Sequence, residues 1–131
     1  MRAPAAYGLA LLALAFPALA EPLAVPSGQT VTLAEVLSDE NPGALWVRFR
    51  FLAPEIAREN GKVAPDEAAA DMDWLCTNLV LPYLIRHGLS PARVVISLSD
   101  RAVPFGVADP TATQFFESYR PVDGRCIWEE F

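Results

Sequence analysis

His87 is the single histidine of the chain. A histidine titrates near neutrality, so His87 is the candidate general base, with Asp100 as an acid partner, for a small hydrolase or lyase. The competing reading is structural: His87 ends a helical stretch, where a partial cation suits the negative end of the helix. Spacing alone sets no Ser or Cys nucleophile beside it. Arg48 and Arg50 stand two apart in a run that alternates with period two, so they share one face of a strand, about 7 Å apart. Two guanidinium groups so placed bind a carboxylate or phosphate, or pair with acids on a neighbouring strand. Trp46 and Leu52 share that face, and Arg with Trp is the composition of interface hot spots. Trp46, Arg48 and Arg50 are therefore the candidate ligand or partner face.

The remaining polar groups point to less. Asp66, Glu67, Asp71 and Asp73 form an acidic helix face, with Glu67 and Asp71 four apart on one side. They lack the pattern of a calcium loop, and a solvated wet side, shared with Thr77 and Asn78, is the simpler reading. Ser97, Ser99, Asp100 and Arg101 cluster at a strand end without a GxSxG elbow and read as a turn. Cys76 and Cys126 are the two cysteines. With no CxxC and one histidine, they do not make a metal site. In an oxidising compartment they make one structural disulfide, worth about 4 kcal/mol for a loop of this length. Neither metal nor cofactor is expected.

Several elements must position these residues. Glu21 to Gly28 is rich in Pro and Gly and reads as an extended lead-in. Thr32 and Glu35 have capping-box spacing, which predicts a short helix over Leu33 to Leu37. Asn41-Pro42-Gly43 is a turn signal. Leu45 to Leu52 alternates cleanly and predicts a strand with Leu45, Val47, Phe49 and Phe51 on its apolar side. Pro54 to Ala64 is a hairpin or an irregular loop. Pro65-Asp66-Glu67 opens the main helix, which runs to about His87 and stops at Gly88. Ala68, Met72, Leu75 and Leu79 form its apolar stripe, and Pro82 should kink it. Arg93 to Leu98 predicts a central strand. Gln114 to Arg120 and Arg125 to Glu130 flank Asp123-Gly124, a two-residue hairpin turn. The expected fold class is α+β, with one main helix packed on a four- to five-stranded, mostly antiparallel sheet, stapled by one disulfide.

The chain has 131 residues, 10 Lys+Arg against 16 Asp+Glu, and a formal net charge of -6. That length suits one domain. The acidic balance argues against nucleic acid as a partner, which requires a basic face. Residues 1–20 have a cationic start, an apolar run over Ala5 to Leu19 and a small-x-small end at Ala18-Leu19-Ala20, the three parts of a cleaved signal peptide. The run is too short for a membrane anchor, and no other segment is long enough to span after cleavage. Residues 21–131 are then a single domain, periplasmic or secreted.

The strings Leu45–Pro54 (LWVRFRFLAP), Val94–Arg101 (VVISLSDR), Pro104–Pro110 (PFGVADP), Thr113–Glu117 (TQFFE) and Cys126–Glu129 (CIWE) resemble a family of small exported bacterial proteins of unknown function. The resemblance covers nearly all of residues 21–131. Some of its members carry the label acetolactate synthase. That activity is rejected here, because the enzyme is several times longer and needs a diphosphate-and-metal motif that these residues lack. The family has no established activity and so assigns no site residue. The expectation is a non-catalytic binding or interaction domain, with a partner in the cell envelope or a small anionic ligand. One version is an acidic inhibitor of a basic envelope enzyme, weakened by salt.

Overall fold

The computed structural model describes residues 21–40 and 43–131. The expected signal peptide, residues 1–20, lies outside the described residues, as do Asn41 and Pro42 of the expected turn. Among the described residues six strands form one sheet in chain order: β1 (Pro22–Ala24), β2 (Thr30–Glu40), β3 (Leu45–Leu52), β4 (Arg93–Ser99), β5 (Gln114–Val122) and β6 (Arg125–Glu129). All neighbours are antiparallel except β3 and β4, which are parallel. The sheet is thus mixed and has six strands, more than expected. β1 is the extended lead-in, recruited as an edge strand by pairing of Pro22–Ala24 with Thr30–Thr32.

One strand replaces an expected helix. Thr32 and Glu35 do not form a capping box; they lie in β2. The register between β2 and β3 slips between Leu33 and Glu35. That bulge leaves Ala34 unpaired and switches the alternation from odd to even core positions. Leu33 pairs with Phe51, and Val36 pairs with Phe49, on the helix-covered face. Apolar residues at 33, 36 and 37 therefore mimic helical spacing while belonging to a strand.

The parallel pair requires a crossover, supplied by a 3-10 turn at Pro54–Ile56 and one helix of 22 residues. This helix, α1, runs through Pro65–Leu75, Cys76–Val80 and Leu81–Arg86. Glu67 accepts a hydrogen bond from the Ala64 N–H at 2.9 Å, satisfying one of the free donors at its start. Pro82 has no N–H to donate, and its ring would meet the carbonyl four residues back in a regular helix. The preceding turn widens instead: the Leu81 N–H bonds to the Cys76 carbonyl, five residues back. The expected kink is realised as this π turn. Gly88, at φ 63°, ends the helix.

Ala68, Met72, Leu75, Cys76 and Val80 pack on Val47, Phe49, Phe51, Val94, Ile96 and Leu98, all buried. Cys76 and Cys126 are disulfide-bonded, with Cα atoms 6.3 Å apart and a sequence separation of 50. The bond ties α1 to β6.

The expected acidic wet side of α1 needs one correction. Asp71 is fully buried. It accepts hydrogen bonds from the Ser27 N–H (2.9 Å), the Ser27 hydroxyl (2.6 Å) and the Gln29 side-chain amide (2.8 Å). Three donors replace water around the buried carboxyl group and anchor the segment between β1 and β2 to the helix. Asp73 is exposed, and it accepts a 2.6 Å hydrogen bond from the buried Tyr119 hydroxyl. Burial, reinforced by Asp73, raises the Tyr119 phenol well above its ordinary range.

Two stability tests follow from this architecture. Reducing the Cys76–Cys126 bond is expected to lower the unfolding free energy by roughly 2–5 kcal/mol, measured by urea unfolding of oxidised and reduced protein. Equal midpoints would show that the staple contributes nothing. Asp71→Ala, which strands three donors in the interior, is expected to cost about 3 kcal/mol or more, with the loss visible in the same assay.

Candidate functional site

One helix covers one face of the sheet. The other face carries Glu35, Leu37 and Asp39 from β2; Trp46, Arg48, Arg50 and Leu52 from β3; and Arg93, Val95, Ser97 and Ser99 from β4. β5 and β6 add Gln114, Phe116, Ser118, Arg120 and Glu129. The expected candidate face, Trp46, Arg48 and Arg50, lies at the middle of this surface.

The bulge in β2 does chemical work here. Without it, Glu35 would follow Leu33 onto the helix side. With it, Glu35 pairs in register with Arg50 and forms an ion pair with it. Arg48 pairs with Asp39 at 3.3 Å, with side chains 19 % and 41 % exposed. Both arginines therefore have the cross-strand acid partners that spacing permitted. Glu35 is therefore not the helix-capping residue its spacing from Thr32 suggests but the partner of Arg50.

The arginines also hold aromatic rings. The Arg93 guanidinium sits 5.1 Å from the Trp46 ring centre, and that of Arg48 sits 5.4 Å from it. The Phe105 ring is flanked by Arg48 at 5.5 Å and Arg50 at 5.4 Å. The order across the face is Arg93, Trp46, Arg48, Phe105, Arg50, cation alternating with ring. Beyond Arg93 the ladder continues to Glu129, which Arg93 contacts at 3.0 Å and Arg120 at 2.8 Å. Arg120, with a smaller contribution from Arg93, holds the Glu129 carboxyl below its ordinary range. Ser118, small and fully buried, lies between the strands that Arg93 and Glu129 bridge.

Phe105 belongs to the segment 100–113, which folds over the open face. Its base is closed by the Asp100 N–H on the Thr113 carbonyl (3.0 Å) and the Thr113 N–H on the Asp100 carboxylate (2.8 Å). Arg58 donates to the carbonyls of Pro110 (2.9 Å) and Ala112 (3.3 Å). At its tip, Arg50 donates to the Val103 carbonyl at 2.7 Å. Burial raises the Asp100 carboxyl, but the Thr113 N–H and Arg101 more than offset this and leave it below its ordinary value.

Two cavities lie beneath the segment, one on each side of Arg50. The first, about 390 Å³, is lined by Ala34, Glu35, Arg50, Ser97, Ser99 and Val103 among others. The second, about 250 Å³, is lined by Arg48, Arg50, Val95, Ser97, Phe105 and Phe116 among others. Ser97 lies at the floor of both. Arg48 uses Nε on Asp39, and its two terminal nitrogens make no hydrogen bond among the described residues. Phe105, Val107 and Phe116 are each about half exposed at the rim of the second cavity. Sequence spacing placed Phe116 on a strand, but not the covering segment that turns its face into a cavity.

The chain is matched over residues 9–131 by the model of a family of unknown function, DUF6497. It belongs to that family. No curated protein and no solved structure matches the chain. The DUF6497 match agrees with the resemblance to a family without established activity. No helix among the described residues is long and apolar enough to cross a membrane.

The alternative pairing of His87 with Asp100 does not assemble. His87 follows α1 at the end of the sheet where β4 begins, and Asp100 follows the last residue of β4 at the opposite end. Seven strand residues lie between those ends, about 20 Å or more. His87 instead stacks on Tyr83 with ring centres 4.0 Å apart, and its Nδ1 lies 2.9 Å from the Tyr83 carbonyl. Asp100 is committed to Thr113 and to Arg101, at 3.1 Å.

The clamp at the base of the covering segment should respond to acid. The Asp100 carboxyl is lower in the folded protein than in the unfolded chain. Its stabilisation is therefore present above the unfolded value, near pH 4, and is lost as pH falls through the folded value. Thermal unfolding between neutral and strongly acidic pH is expected to show this loss, and Asp100→Asn is expected to remove that part of the acid dependence. An unchanged acid limb in the variant would count against the clamp.

Proposed function

We propose that this DUF6497 protein is an exported, non-catalytic binding domain. In this reading residues 1–20 direct export and are removed, and residues 21–131 act outside the cytoplasm, where the disulfide persists. The binding face is the open side of the sheet under the segment 100–113, with Arg48 and Arg50 at its centre and Trp46 behind them.

The observation that carries the reading is the second cavity. Its floor presents unspent Arg48 donors and Ser97, and its walls are Val95, Phe105 and Phe116. An apolar hollow with a few convergent polar groups is the usual form of a recognition site. Half-exposed aromatic residues around it are the usual anchors of one. The group that fits is apolar with an acidic end: the apolar part meets the phenylalanines and the acid meets Arg48. Because Asp39 and Glu35 already neutralise much of the arginine charge, long-range attraction for the anion is weak. Specificity then rests on fit and on short hydrogen bonds. Such a group comes either from a free small molecule or from a side chain of an envelope protein.

The test has two arms. Native mass spectrometry of protein purified from its own cells reads a bound small molecule. Affinity capture from the cell envelope, with quantitative mass spectrometry, reads a protein partner. Phe116→Ala and Arg48→Met are expected to abolish retention in whichever arm is positive, while shifting the melting temperature by no more than a few degrees. If neither arm returns a stoichiometric occupant, or if both variants retain it fully, the proposed face is wrong.

A further inference from the structure

The two edges of the sheet are unlike. β1 is three residues long and begins at Pro22, which has no N–H to offer a neighbour. β6 has five residues and no proline, and no strand among the described residues pairs with its outer side. An uncovered edge of that kind is a template for another strand.

The hairpin fixes which groups of β6 point outward. Asp123 and Gly124 have φ values of 51° and 75°, both positive, as a two-residue type I′ turn requires. Such a turn closes on a hydrogen-bonded pair, here Val122 with Arg125. Pairs then alternate along an antiparallel ladder. Arg120 with Ile127 and Ser118 with Glu129 are hydrogen-bonded, whereas Pro121 with Cys126 and Tyr119 with Trp128 are not. Pro121, lacking an N–H, falls at a position that needs none. The backbone groups of Cys126 and Trp128 therefore face the outer edge.

We propose that β6 pairs antiparallel with β6 of a second copy of this chain, about a twofold axis at Ile127. In that register Cys126 faces Trp128 of the second copy, and Trp128 faces its Cys126. These are the residues whose N–H and C=O groups point outward, so four main-chain hydrogen bonds form. Ile127 meets Ile127 of the second copy, apolar on apolar. Arg125 meets Glu129 of the second copy at both ends of the pairing. A twofold interface must be self-complementary, and the string RCIWE is so in charge. Sliding by two residues, to set Trp128 opposite Trp128, would place Glu129 opposite Ile127 and lose both charge pairs. Arg125 is exposed and makes no side-chain hydrogen bond or ion pair among the described residues, so it is available. Trp128 is 54 % exposed and stands on the side of the sheet that carries the disulfide. Pairing would lay it beside Cys126 of the second copy.

Sedimentation of the purified protein from micromolar to millimolar concentration is expected to show a reversible monomer–dimer equilibrium. Hydrogen exchange distinguishes this interface from any other. The Cys126 and Trp128 amides are expected to exchange slowly in the dimer and quickly on dilution, while the Ile127 and Glu129 amides stay protected by β5 throughout. Arg125→Glu sets like charges opposite each other twice and is expected to weaken the dimer roughly tenfold without changing the fold. A monomer at every concentration overturns the proposal. So does a dimer whose Cys126 and Trp128 amides exchange freely, and an Arg125→Glu protein that associates as well as the original overturns the register.

Discussion

The structure depends on one constraint: β3 and β4 lie side by side and run in the same direction. A chain leaving β3 must travel back the length of the strand before it can start β4, and a tight turn cannot do this. The 3-10 turn and α1 make that journey, and in doing so they cover one face of the sheet. Val47, Phe49 and Phe51 on β3 and Val94, Ile96 and Leu98 on β4 are buried because the crossover passes over them. Among the described residues, the remaining connections contain no helix, and the longest of them is the segment 100–113. The second face therefore has no helix among the described residues, whose cover for it comes from side chains and that one segment.

This division explains the open face. A sheet face left to water would carry scattered polar residues. Here the arginines are only 16–19 % exposed, because Phe105 is inserted between them and carboxylates from β2 close their other side. Burying a guanidinium is costly unless its donors are used and its charge is met. Arg50 meets both conditions, with Glu35 and the Val103 carbonyl. Arg48 meets the charge condition only, through Asp39, and its terminal nitrogens make no hydrogen bond among the described residues. The difference between these neighbours separates a residue that holds the covering segment in place from one available to an incoming group.

Much of this was legible in the residues. β3 matched its alternation end to end, α1 matched its Pro65 start and Gly88 stop, and Asp123-Gly124 gave the hairpin. The disulfide followed from the number of cysteines and an oxidising setting. What escaped has identifiable causes. A bulge at Ala34 broke the period of β2 and made a strand resemble a helix, so β2, the short β1 that pairs with it and the partner of Arg50 were lost together. Asp71 carries the mark of a solvated acid, and only the fold brings Ser27 and Gln29 against it from more than 40 residues away. The covering segment has no periodicity, because its position comes from Asp100, Arg58 and Arg50, each contributing a contact distant in sequence. Spacing offered two fates for Arg48 and Arg50, acid pairing or binding, and the structure shows the first without removing the second.

The edge strand β6 is unusual in how it is fixed. A terminal strand bonded on one side commonly frays, since half of its backbone groups find only water. β6 is held at its start by the bond from Cys126 to the helix and at its end by Arg93 and Arg120 on Glu129. Between them, the Trp128 indole donates to Glu117 on β5. The cost of ordering the strand is thus met within the fold, so an approaching strand meets a ready template. Glu129 is also the last member of the series that begins at Arg50. The anchor of the edge strand and the support of the covering segment are consequently parts of one row of contacts across the open face. Glu129 is the joint of that row, because it alone is held by two arginines at once, Arg93 from β4 and Arg120 from β5.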